Sequence, residues 1–90
     1  MPQLSGTTSG SIRSVAISLP CNIKWFGVRD NGSGSTIRIG IVVSGREIYW
    51  KSITLSANAS LDELVDVKVL AGSQIILVTN NSVDYAFTLD

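Results

Sequence analysis

Ninety residues suffice for one domain and are too few for two that fold alone. Seven Lys and Arg against seven Asp and Glu give zero net charge, without the basic excess of a nucleic-acid binder. With no His and one Cys, the chain has no Ser-His-Asp triad, Cys-His pair, internal disulfide or thiolate or imidazole metal cluster, so it reads as a non-enzyme without cofactor or metal.

Ile and Val number nineteen, and so do Ser and Thr, with eight Gly and five Asn to make turns. β-Branched residues suit pleated strands and lose rotamer freedom in helices, so the composition is all-β. A charged fraction of 16% is low for a free monomer and points to a chain packed against others. No apolar run reaches the roughly 18 residues of a membrane-spanning helix, so no membrane insertion is expected. The polar, uncharged start over 1–10 has the pattern of neither a signal peptide nor a transit peptide.

Residues 1–11 read as an extended N-terminal tail, and 12–90 as a single β-sandwich domain. Ile12 to Leu19 alternates Val15, Ile17 and Leu19 with small residues, a half-buried strand closed by Pro20. Asn22 to Arg29 is a second strand. Adjacent Trp25 and Phe26 must point opposite ways, so Ile23, Phe26 and Val28 are set inward with a bulge or bend between Ile23 and Phe26. The segment 30–35 is a turn with an Asn-Gly signal. Thr36 to Val43 places Ile37, Ile39, Ile41 and Val43 on one face. Ser44-Gly45 turns the chain into strands over 46–50 and 51–56. Ser60 and Glu63 have capping-box spacing, which would make 61–64 a helical turn ahead of a strand over 65–70. Ile75, Ile76, Leu77 and Val78 form a strand apolar on both faces, which requires cover on both sides. Val83, Tyr85, Phe87 and Leu89 align along the last strand. Seven to eight short strands spaced by turns make an antiparallel two-sheet, jelly-roll-like sandwich, with Ile39, Ile41, Val67 and Leu77 expected in its core.

The stretch from Gly34 to Leu89 carries a resemblance. Ile37, Ile39 and Ile41 lead to the turn Ser44-Gly45; Ile53, Leu55 and Ala57 follow; then come Val67 and Val69, Ala71-Gly72, and Ile75 and Leu77. This resembles the small jelly-roll-like modules of virus and phage structural proteins, such as decoration, head-fibre and spike domains. Ser73 departs from the pattern, where members of that group often carry an acidic residue. The resemblance implies a capsid-decorating or spike subunit of a virion, assembled in the host cytoplasm. It implies contacts with major capsid or other virion proteins, a trimer as the first expectation for a homo-oligomer, and no catalytic residues to transfer.

Ile76 and Val78 point away from Ile75 and Leu77, and Val42 away from Ile41 and Val43. A free monomer would show them as an apolar patch. Val42, Ile76 and Val78 are therefore candidate subunit-interface residues, together with Leu4 in the tail. Two other readings compete with the virion subunit. One is a carbohydrate-binding module that stacks sugars on Trp25 or Trp50; the other is a fibre or pilus subunit joined by strand donation, with the tail as donor. Asp62, Glu63 and Asp66 read as a solvated acidic bend, and Asp30 as a turn residue. Asn31, Asn58 and Asn80 each begin an N-x-Ser sequon in a predicted loop. Cys21 reads as a small buried hydrophobe.

Overall fold

β-Branched residues crowd one another along a helix but pack side by side on a pleated surface. In the computed structural model, which describes residues 3–14 and 17–90, all regular structure is accordingly strand. The strands are β1 (Gln3–Thr8), β2 (Ser11–Arg13), β3 (Cys21–Asp30), β4 (Ser35–Val43), β5 (Arg46–Leu55), β6 (Ser60–Val69), β7 (Gln74–Thr79) and β8 (Val83–Leu89). One four-stranded sheet has the order β1-β8-β3-β6 and the other β2-β7-β4-β5, all pairs antiparallel. Apart from the β4–β5 hairpin, successive strands thus pass between two stacked sheets, which is the jelly-roll arrangement.

The core is the space between the inner faces. Ile23 and Phe26 of β3, Ile37 and Ile39 of β4, Leu77 of β7 and Phe87 of β8 are all at most 1% exposed. In β8 the alternation Val83, Tyr85, Phe87, Leu89 faces inward throughout, as its period of two requires. Ile23, Phe26 and Val28 also point inward. The bend that lets them do so is a register shift between Ile23 and Trp25 against both neighbouring strands. A second shift, between Ile39 and Gly40 on β4, sets Trp50 as an extra residue on β5. Trp50 turns to the core and meets Phe26 edge-on, with ring centroids 5.9 Å apart. The same side of the sandwich carries an ion pair between the sheets, Lys51 Nζ to Glu63 Oε1 at 2.6 Å.

Several expectations are corrected. Residues 61–64 form no helical turn; Ser60–Val69 is one strand, because inward Leu61, Glu63, Val65, Val67 and Val69 continue a single period of two. Ile41 and Val67 are only partly buried, the first near the β4–β5 hairpin and the second on the edge strand β6. The strand expected over 12–19 stops at Arg13. Beyond it, Ser14 Oγ accepts from Ile75 N–H and the Ile17 N–H donates to the Ser73 carbonyl, so the chain leaves the ladder and Leu19 is 75% exposed. Val15 and Ala16, part of that alternation, lie outside the described residues. The segment 3–8 pairs along its whole length with β8 of its own chain, which engages it internally rather than as a donor.

Candidate functional site

The outer face of the β1-β8-β3-β6 sheet carries an open groove of about 290 Å3. Its geometry follows from the inward setting of Phe26, which sends Trp25 and Gly27 outward. Gly27 stands between Ala86 on β8 and Asp62 on β6, so the middle of this face has almost no side-chain height. The Trp25 ring fills part of that space. A Cβ on Gly27 would lie 2.7 Å from Trp25 Cη2 and 2.8 Å from Cζ2, so only glycine lets the indole lie down on the sheet. Trp25 Nε1 donates to Asp62 Oδ2 at 3.1 Å, which fixes the ring's direction. Two residues beyond Gly27 on β3, Arg29 lies between Ser60 and Asp84. Asp84 accepts from Thr7 Oγ1 at 2.6 Å and from Asn31 Nδ2 at 3.2 Å, and these bonds, Thr7 first, hold its carboxyl below the usual range. Beside Trp25, Leu64 is 86% exposed although it sits in mid-strand.

The other outer face holds the expected interface residues differently. Val42 is 4% exposed and Ile76 1%, so neither offers the apolar surface expected of it. The reason is a polar strap. Arg13 on β2 and Glu47 on β5 form an ion pair although β7 and β4 lie between their strands, a span of about 14 Å at ordinary strand spacing. Arg13 lies beside Ile76 and Glu47 beside Val42, so the pair closes over both. Tyr49 Oη donates to Glu47 Oε1 at 3.0 Å, and the Arg38 guanidinium stacks 4.4 Å from the Tyr49 ring centroid. The Arg13 bond, with Tyr49 assisting, lowers the Glu47 pKa; burial, with Glu47 adding to it, raises that of Tyr49. Val78 is half-buried at the margin of this face. Leu4 is half-buried against the chain's own core.

Of the two candidate stacking residues, Trp25 lies in the groove and Trp50 faces the core, where its Nε1 has no hydrogen-bond partner among the described residues. Asp62 and Asp66 point outward and Glu63 inward, so the three carboxylates do not converge; each has its own partner, Trp25, Lys24 and Lys51 respectively for Asp62, Asp66 and Glu63.

Sequence reasoning missed Arg29, Asp84 and Ala86 as groove residues. They meet only through the pairing of β3 with β8, which no local pattern encodes. Leu64 had a signal, an apolar residue at an outward strand position, but the capping-box reading hid it.

The two ends of the sandwich differ. At one, Cys21 pairs with Val69, so Leu19 and Leu70 flank the same end of the β3–β6 ladder, 75% and 50% exposed. The Gly72 N–H donates to the Ile17 carbonyl at 2.7 Å and binds that loop to the β6–β7 turn. At the other end Asp30 is wholly buried and ties two loops together. It accepts from the Ser35 hydroxyl and from the N–H groups of Gly32 and Gly34, each at 2.9 Å, and of Asn58 at 3.0 Å. Asn31, Asn58 and Asn80, the sequon asparagines, all lie on turns at this end and are exposed.

No protein-family model matches the chain, and no curated protein matches it. Among solved structures, the nucleoplasmin-like N-terminal domain of Drosophila FKBP39 is similar, with a TM-score of 0.53 over 98% of this chain and 88% of that one at 12% identity. A structure of the infectious bursal disease virus Gx strain gives a TM-score of 0.39 over 97% of this chain and 28% of that one at 11% identity. The first likeness shows a shared fold; the second carries no argument. The chain is an antiparallel two-sheet β-sandwich of the jelly-roll type.

Proposed function

We propose that the chain is a non-enzymatic structural subunit of a larger particle, held there by protein–protein contacts at its Leu19–Leu70 end. One observation carries this reading: Leu19 and Leu70, which flank the same end of the β3–β6 ladder, are both exposed, on a loop and a turn that the Gly72 N–H to Ile17 carbonyl bond ties together. Paired exposed leucines on a fixed loop and turn are a surface to be covered, since burying them recovers about 25 cal/mol per Å2 of apolar area. The resemblance of residues 34–89 to virion modules supports reading that particle as a virion and the neighbours as other copies of this chain or capsid proteins. The absence of His and the scarcity of Cys in the sequence support a role without catalysis.

Sedimentation equilibrium of the chain, alone and mixed with its particle, tests the reading. The wild type is expected to self-associate or to bind the particle, and Leu19→Lys with Leu70→Lys to abolish that association while circular dichroism shows the sheets intact. A wild type that stays monomeric and makes no lasting contact with a particle overturns it. Association that survives both substitutions moves the contact away from this end.

A further inference from the structure

We infer that the Trp25 groove is a binding site for a neutral saccharide, a function separate from the assembly role. The floor is flat because Gly27 and Ala86 add no height, and the Trp25 ring reaches along it, its Cζ2–Cη2 edge over Gly27, and lines the groove. Sugar rings present flat C–H faces, and a fixed indole is the matching apolar plate. Leu64, directly across from Trp25 on β6, extends that plate beyond the indole. Around it stand hydrogen-bonding groups of both kinds. Asp62 has an oxygen beyond the one that holds Trp25, Asp84 is held as a carboxylate, and Arg29 supplies guanidinium donors between Asp84 and Ser60. Hydroxyls donate to carboxylates and accept from guanidinium, so a polyol satisfies both sets at once.

The same groups argue against other occupants. Asp62 and Asp84 repel phosphate, which removes nucleotides and nucleic acid. Arg29, at the end of the groove opposite Trp25, repels a lysine or quaternary-ammonium ligand that the aromatic ring and carboxylates would otherwise attract. An aliphatic ligand would desolvate Asp62, Asp84 and Arg29 and offer none of them a new hydrogen bond in return. A groove of about 290 Å3 lies at the small end of ligand sites, the size for one or two sugar rings rather than a long chain. The ring is held in place before any ligand arrives, by Asp62 on one side and the missing Gly27 side chain below, so no ordering of Trp25 opposes binding.

The test uses Trp fluorescence and amide chemical shifts of the full chain. The probes are methyl β-glucoside, methyl β-galactoside, N-acetylglucosamine and their β-linked disaccharides, with choline and glucose 6-phosphate as contrasts. At least one neutral sugar should perturb Trp25 and its neighbours saturably, leaving Trp50 in the core unchanged. Trp25→Ala should weaken binding at least about tenfold, the scale of losing a stacking partner and its contact area. Gly27→Ala, which keeps every polar group but lifts the indole, should weaken it comparably, with circular dichroism confirming an intact fold in both variants. The inference fails if no sugar in the panel acts on the wild type, or if Trp25→Ala binds as tightly as the wild type. It also fails if choline or glucose 6-phosphate is the better ligand, or if shifts on this face follow protein concentration alone, which would assign the groove to a second copy. None of these outcomes bears on the Leu19–Leu70 contact, which sedimentation reads independently.

Discussion

Asp30 is a carboxylate removed from water and kept charged. The Ser35 hydroxyl lowers its pKa most; burial opposes this, and the N–H groups of Gly34, Gly32 and Asn58 add to the lowering. Because the folded value lies below the unfolded one, the stability it confers is complete above about pH 4 and is lost as pH falls from there towards the folded pKa. Asp30→Asn replaces an acceptor oxygen by a donor amide facing N–H groups, so the variant should melt lower at neutral pH. The gap in Tm between wild type and variant should narrow below about pH 4, followed by circular dichroism across a pH series. A gap that stays constant on acidification would mean that the ionised form of Asp30 is not what binds the two loops.

On β4 the inner residues differ in depth, and that difference can be measured. Ile39→Ala should cost about 2–5 kcal/mol in urea unfolding, the range for truncating a buried Ile. Ile41→Ala should cost clearly less, because Ile41 is only partly covered. Equal losses would put the two at the same depth and contradict the register against β5 and β7. The inner faces of β4 and β8 were legible in the sequence because one buried face imposes a strict period of two. The bend in β3 was legible too, from the conflict between Trp25 and Phe26. What stayed hidden was long-range or locally ambiguous. Ser60 and Glu63 mimic a helix start, yet the inward sequence Leu61, Glu63, Val65 outweighs it. Half of the groove could be inferred, since an inward Phe26 implies an outward Trp25. Its other half depends on Gly27 facing Ala86 and Arg29 facing Asp84, and that register belongs to two strands distant in sequence. The cover over Ile76 was correctly required by its apolar run, but its nature, an Arg13–Glu47 strap from opposite edges of a sheet, was not visible.

At the scale of the whole molecule the sandwich has a direction. Leucines mark one end, and Asp30 with the turn asparagines marks the other, on a body whose longest extent is 36 Å. In the proposed assembly the leucine end is covered and the asparagine end faces away, which leaves the Trp25 groove on the flank and open to solvent.

The pair Lys51–Glu63 has a consequence for that body's solubility. β5 and β6 are the edges of their sheets and lie on the same side of the sandwich, each ten residues long with one row of peptide groups free of ladder partners. Such edges invite strands from other copies, and inward-pointing charges are a known deterrent, because a chain zipping onto the edge would desolvate them. The bulge at Trp50 bends the same stretch further from the flat edge a newcomer needs. Replacing both residues, Lys51→Val with Glu63→Val, should therefore preserve or raise the unfolding midpoint while producing fibrous, thioflavin-positive aggregates that the wild type does not form. Light scattering over days would show it, and a double variant as clear as the wild type would deny the pair that role.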